Sequence, residues 1–268
     1  MSSLFLSPLF LQAILIGALC SVICGIVGSF VVIKRMSFIS GSIAHTAFGG
    51  LGLSYWLGFN PLLGALGFGL SAALIMGSVR LWFRQQEDAL IGALWAIGMS
   101  VGVVCISLGS GYAGDLFGYL FGSLLLTTHV DLLLMGVLIG FILLVMGVFY
   151  RYFQAISFDE VYSTVLNLPV KRLYLLFLAL ITVTVIVLMK VVGMLLVIAL
   201  LTLPSAAARN LTTRLSQLMI VSIGFGFLST FLGTALAFWV NLPPGPLIIF
   251  TAAGIYLTSF YFLNQRRT

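Results

Sequence analysis

The sequence predicts an all-α fold, a polytopic bundle of transmembrane helices, and three observations carry that reading. The 268 residues are 62% apolar and only 7% charged, with a mean hydropathy of +1.24, whereas a soluble domain carries about a quarter charged residues. Apolar runs of the ~20 residues that a bilayer requires recur along the whole chain rather than in one block. The 29 glycines suit helices that must approach closely in lipid, where apolar burial alone gives little drive for association. The chain therefore reads as a single integral-membrane domain over 1–268.

Spans are predicted at 8–33, 38–58, 61–82, 89–110, 128–150, 172–189, 191–209, 215–240 and 246–263. Only Lys190, Val191, Val192 and Gly193 separate 172–189 from 191–209, so the count is eight or nine. Pro204 inside 191–209 is expected to kink or break that span, with neighbouring helices satisfying the freed backbone groups. The basic residues sit in short clusters between spans, so the net charge of +6 reads as a topology signal and not as nucleic-acid binding. Lys34 and Arg35, Arg80 and Arg84, Arg151 with Lys171 and Arg172, Arg209 and Arg214, and Arg266 and Arg267 are assigned to the cytoplasm. They alternate correctly with nine spans, an external N-terminus and a cytoplasmic C-terminus, leaving Lys190 as the exception on the outer side. The external joints are Gly58-Phe59-Asn60-Pro61, the stretch 109–128, and Asn241-Leu242-Pro243-Pro244-Gly245-Pro246, all short and turn-rich. No basic region precedes the first apolar run, so no signal peptide is expected. Residues 115–122 are too short to span and read as a helix lying in or dipping into the outer leaflet. With no soluble domain on either side, an energy source or substrate receptor must come from other chains.

The longest cytoplasmic piece, 151–172, contains a short predicted helix at 158–168. Asp159 and Glu160 fall in its first turn, where they suit the helix dipole. Phe158, Val161, Tyr162, Val165 and Leu166 recur at helical spacing as an apolar stripe, and Pro169 stops the helix. Two readings of this stripe stand side by side: an interfacial helix resting on lipid headgroups, or a helix seated in a groove of a soluble partner.

Within the spans the chemistry-bearing residues are few. A basic pair, Lys34-Arg35, ends the first apolar run, and the next carries a lone imidazole at His45 about two turns in. Ionisable groups inside a bilayer are costly and face a partner, a cavity or a substrate path, and imidazole is the commonest side-chain ligand of transition metals. His45 is thus either hydrogen-bonded to a neighbouring helix or a transient metal contact on an ion route. His129, beside Asp131 at the outer end of a span, and Asp115 are weaker metal candidates, each with a plain structural role available at a helix start. Cys20, Cys24 and Cys105 read as small buried packing residues; two thiols without further soft ligands make no metal site.

The run Val32-Ile33-Lys34-Arg35-Met36-Ser37 with His45 and Gly49-Gly50 resembles the metal-uptake permease family of ABC transporters, which move zinc, manganese or iron. Asp115-Leu116 with Tyr119-Leu120-Phe121-Gly122, Phe158-Asp159 through Leu168-Pro169-Val170, the stretch 191–209 with Leu203-Pro204-Ser205, and Gly245-Pro246 match the family in the same order. The resemblance implies a non-enzymatic permease subunit in a prokaryotic cell (inner) membrane, working as a pair, with a homodimer expected. Cytoplasmic ATP-binding subunits would dock on the 158–168 coupling helix through Phe158, Asp159, Glu160, Val161, Tyr162, Val165 and Leu166. An extracytoplasmic metal-binding protein would deliver the ion, with a divalent metal as substrate and no permanently bound cofactor. The family carries an Asp four residues before the His, where this chain has Gly41; the Asp that often follows the Phe-Gly pair is Ser123 here. Zinc is the expected ion, because an imidazole-centred site poor in carboxylates suits it better than manganese. An ion-coupled secondary transporter is disfavoured because every Asp and Glu lies at or beyond a span end, and an intramembrane enzyme because no nucleophile–base pair is recognisable.

Overall fold

The computed structural model describes residues 8–82, 87–109, 118–120, 122, 124 and 127–265. Ten helices follow one another: α1 Pro8–Ile33, α2 Ser37–Leu57, α3 Pro61–Trp82, α4 Glu87–Leu108, α5 His129–Phe158, α6 Glu160–Val165, α7 Val170–Val192, α8 Met194–Leu211, α9 Leu215–Val240 and α10 Pro244–Gln265. No strand occurs among the described residues. Seven helices are long and apolar enough to cross a membrane by length and composition: α1, α3, α4, α5, α7, α8 and α9. The two other long helices, α2 and α10, have 21 and 22 residues and coincide with the predicted segments 38–58 and 246–263.

Three boundaries sharpen or correct the sequence reading. The helix predicted over 128–150 runs on to Phe158, 30 residues in all, about 45 Å at 1.5 Å per residue. Its outer start is fixed by a capping box, in which Thr128 Oγ1 accepts from the Asp131 N–H and the Asp131 carboxylate accepts from the Thr128 N–H. The joint between α7 and α8 is the single residue Gly193 at φ +85°, a backbone conformation that only glycine adopts cheaply, so one continuous helix through 172–209 does not form. Pro204 does not break α8, which continues through it to Leu211.

The exception in the charge pattern has a partner. Lys190 Nζ lies 2.9 Å from Asp131 Oδ1, joining the end of α7 to the start of α5. The basic cluster at the opposite end of the bundle is also tied in: the Arg209 guanidinium donates to the Val32 carbonyl at 2.9 Å.

The bundle is organised around α2. Every residue from Ile39 to Gly52 is buried, so a helix carrying Ser40, Ser42, His45, Thr46 and Ser54 meets protein and not lipid. Small residues bring the flanking helices close. A Cβ on Gly98 would lie 2.5 Å from Thr46 Cα, and one on Gly49 would lie 2.6 Å from the Gly98 carbonyl oxygen. At that separation the hydroxyls of α2 reach the backbone of α4: Ser42 Oγ donates to the Ile91 carbonyl at 3.0 Å and Thr46 Oγ1 to the Leu94 carbonyl at 3.1 Å. On the other side Gly50 abuts the Gly64 carbonyl of α3. The same device packs α1 against α9, where Gly17 faces Thr230 and Gly25 faces Ile223.

Replacing Gly98 by Val should therefore push α4 off α2. The expected loss is about 1–3 kcal/mol, the range for overpacking a filled interface, read as a fall of several degrees in Tm of the purified, detergent-solubilised protein. Gly92, on the same helix, has nothing within 4 Å of a built Cβ, and Gly92→Ala should hold or raise Tm. Equal Tm values for Gly98→Val and the parent would remove the close α2–α4 crossing.

Candidate functional site

His45 sits within the close α2–α4 crossing, where a Cβ on Gly98 would lie 3.1 Å from the His45 carbonyl oxygen. Its neighbours Ser42 and Thr46 are held by the carbonyls of α4, which fixes the rotation of α2 and so the direction of the imidazole. The ring is 9% exposed and stacks on the Trp95 indole of α4, with centroids 4.1 Å apart and planes 16° from parallel. Nδ1 is buried and accepts or donates no hydrogen bond. The reading of His45 as an imidazole satisfied by a neighbouring helix is thus not met at that nitrogen. A buried ring nitrogen without a bond is costly unless a ligand uses it.

One turn earlier on α2, Gly41 is buried as well, yet a Cβ built there would meet no atom within 4 Å. Space for a side chain exists beside His45 at i−4, the position that shares its helix face. The hydroxyls of Ser42 and Thr46 are spent on carbonyls, so the imidazole stands as the ligand-capable group at this level of α2.

The other metal candidates do not join it. His129 is the exposed first residue of α5, and Asp131 is committed to Thr128 and Lys190. Asp115 lies outside the described residues. Cys20 and Cys24 are fully buried in α1 within the apolar core, with free thiols. Among the described residues no three His, Cys, Asp or Glu side chains come together to hold a metal ion. The arrangement suits a passing contact and not a closed tetrahedral site.

The second functional element is α6. The predicted helix 158–168 is shorter, Glu160–Val165, and the reasons are local. Phe158 ends α5. Asp159, in extended conformation, caps both helices: its N–H donates to the Ala155 carbonyl and its carboxylate accepts from the Tyr162 N–H at 2.8 Å. Leu166 is the C-cap, and Asn167 turns left-handed at φ +56°, so the helix stops before Pro169, which caps α7 instead. The apolar stripe survives the shortening: Phe158, Val161, Tyr162, Val165 and Leu166 are each more than half exposed.

Glu160 does not share that face. Its carboxylate meets Lys34 Nζ at 2.6 Å, and the Lys34 side chain is 3% exposed. Burial lowers the Lys34 ammonium below the usual lysine range, and the Glu160 carboxylate opposes that shift. An open groove of about 1000 Å³ runs beside α6, lined by Arg80, Thr164, Lys171 and Arg172 among others.

Sequence reasoning missed Trp95, Lys34–Glu160 and Lys190–Asp131. Lys190, alone against the topology rule, was a signal for a partner acid. Trp95 left no signal, since an aromatic in an apolar span reads equally as lipid-facing.

Comparison with known proteins follows the same lines. The family model described as ABC 3 transport family matches residues 7–263. An uncharacterized membrane protein, slr2045, of Synechocystis sp. is 46% identical over 251 residues, covering 94% of this chain and 89% of that protein. The manganese transport system membrane protein MntC of Listeria monocytogenes is 31% identical over 258 residues, covering 96% and 92%. Among solved structures, PsaBC from Streptococcus pneumoniae in complex with Fab superposes with a TM-score of 0.87 at 28% identity, covering 97% of this chain and 95% of that one.

The open space at Gly41 makes a specific prediction. Gly41→Ala should keep Tm unchanged, because the added methyl displaces nothing. Gly41→Asp adds a buried carboxylate, so its Tm should fall without a divalent ion and recover when one is added. Divalent-ion binding by the detergent-solubilised protein, measured calorimetrically, should tighten by at least tenfold, about 1.4 kcal/mol. A large loss of stability in Gly41→Ala, which adds no charge, would mean that the space is not there.

Proposed function

The chain belongs to the ABC 3 transport family, the metal-ion permeases of ABC transporters, and from that premise we propose that it is the membrane-spanning subunit of an importer of a divalent metal ion, powered by a separate ATPase. The observation that carries the reading is the exposed apolar face of α6. Five large apolar residues are more than half exposed on a capped, anchored helix, and such a surface fits insertion into a groove of a soluble protein.

We take the nine long helices as nine spans, with the N-terminus outside and α6 in the cytoplasm. The basic clusters support this, and the Lys190–Asp131 pair supports it by neutralising the one lysine on the outer side. An extracytoplasmic binding protein would deliver the ion, a second copy of this chain would complete the route, and the residues move ions without chemistry of their own. His45 lines that route. Binding there must be weak, because an ion held tightly cannot leave.

Zinc is the proposed substrate. A borderline-soft ion accepts an imidazole-dominated environment more readily than manganese, which favours oxygen ligands, and Gly41 supplies no carboxylate. Manganese is the second reading, favoured by the name of the Listeria relative.

Two experiments test this. Tyr162→Asp or Val165→Asp puts a charge into the α6 contact; each should abolish uptake and release the ATPase on purification while membrane insertion is kept. Normal uptake by both would sink the docking reading. His45→Ala should cut uptake of radioactive zinc, normalised to assembled complex, by about 10²-fold, the scale for removing a positioned group. Unchanged normalised uptake would take His45 out of the route. Competition between zinc and manganese in the parent complex separates the two substrate readings.

A further inference from the structure

We propose that the Lys34–Glu160 ion pair is the strut through which movement of α6 reaches the α1–α2 joint, making Lys34 a positioning residue for the segment that carries His45. The inference rests on the transport reading above and goes beyond it by naming the connection.

The hydrogen bonds of Asp159, Ser163 and Thr164 stay within α6 and its caps: Asp159 to the Tyr162 N–H, Ser163 Oγ to the Asp159 carbonyl, Thr164 Oγ1 to the Glu160 carbonyl. Glu160 reaches out of the helix, 2.6 Å to an ammonium whose side chain is 3% exposed. The Lys34 side chain is 3% exposed and that of Glu160 46%, so parting them strands the ammonium and not the acid, and the bond should hold while α6 is pushed or pulled. At the other end of the strut there is little slack. The Lys34 N–H donates to the Phe30 carbonyl at 2.9 Å, the Met36 N–H to Val31 at 2.8 Å and the Ser40 N–H to Met36 at 3.1 Å. Arg35 takes the left-handed turn between the helices at φ +56°, and Met36 is fully buried. Arg209 clamps the same turn through the Val32 carbonyl.

The joint is therefore a closed turn between two helices. From Ser37, His45 is eight residues along α2, about 12 Å at 1.5 Å per residue. The Lys34 ammonium also lies 5.4 Å from the centroid of the Tyr174 ring of α7, and Arg80 of α3 lies 5.1 Å from the same ring. A displacement of Glu160 thus acts on the point where α1, α2, α3 and α7 meet.

The test uses the whole transporter, with ATPase and binding protein, in proteoliposomes. The readout is zinc or manganese ions imported per ATP hydrolysed, for each assembled complex. Lys34→Met and Glu160→Gln should each lower that ratio by at least about tenfold. The exchange Lys34→Glu with Glu160→Lys should return it to within about threefold of the parent, the mark of a direct pair in a double-mutant cycle. A second readout needs no transport. With the native cysteines replaced, Gly41→Cys reports on the open space beside His45, and its thiol reactivity should change on adding ATP. In Lys34→Met that ATP-dependent change should vanish. Single variants that keep both the ratio and the thiol response would overturn the strut, as would an exchange no better than the singles. If singles fail to assemble, the exchange variant decides alone: recovery supports the strut, failure overturns it. If the parent complex moves neither ion, the transport reading fails by itself, and the thiol response still decides the strut.

Discussion

The close crossing of α2 with α4 is the constraint on which the rest of the structure depends. A helix with this many polar side chains cannot face lipid, where an unsatisfied polar group costs several kcal/mol. It must be enclosed by protein, and the enclosing helices must come near enough to satisfy it. Gly98 and Gly49 permit that distance, and Ser42 and Thr46 then bond to the backbone of α4. The placement of His45 is a by-product of the same packing. With the hydroxyls either side of it anchored, the imidazole lies stacked against Trp95.

The two ends of the bundle are secured by different means. At the predicted external end, the Lys190–Asp131 pair sits where the capping box of α5 already holds the carboxylate. The lysine is 34% exposed, so solvent screens it and its contribution is small, about 0–1 kcal/mol. It orients the ends of α5 and α7 more than it stabilises them. At the other end the Lys34 side chain is 3% exposed while that of Glu160 is 46% exposed, so removal of Glu160 strands an enclosed ammonium. The two lysine–carboxylate pairs thus differ in which partner is enclosed: the lysine at this end, and the acid at the other, 14% exposed against 34% for Lys190.

Fold class and most element positions were legible in the sequence because both follow from local rules. Apolar length marks a helix that crosses lipid, and basic clusters mark the joints between helices. Errors fell where a rule was overridden by a single residue. Asn167 ends α6 two residues before the proline that was expected to, whereas the break between α7 and α8 at Gly193 agrees with the nine-segment reading of the sequence. Continuation of α5 past 150 was not legible, since the polar residues that leave the membrane are compatible with helix or loop alike. At the site, His45 was visible as an isolated ionisable group in an apolar run. Its environment was not: stacking on Trp95 and the free space at Gly41 depend on how α2 and α4 are rotated, which no periodicity in a nearly uniform apolar segment reveals.

That environment bears on what the site can select. A carboxylate beside the imidazole would give each subunit a hard and a borderline donor and a standing negative charge in the membrane. Without it, on the proposed reading, the charge of a passing dication would be uncompensated at this level of α2, and the strength of binding would depend on the ring nitrogen and on what the proposed second copy brings. The flat face of Trp95 adds polarisable surface against the imidazole but no ligand atom. Such a site discriminates by ligand type and not by charge: it favours ions that accept nitrogen, and it holds them loosely. If the proposed route is right, loose binding would shift the burden of selectivity outward, to a protein that delivers the ion, and the burden of direction inward, to the proposed strut between α6 and α2. Gly41 is thus consistent with a route in which the membrane segment passes the ion and does not store it.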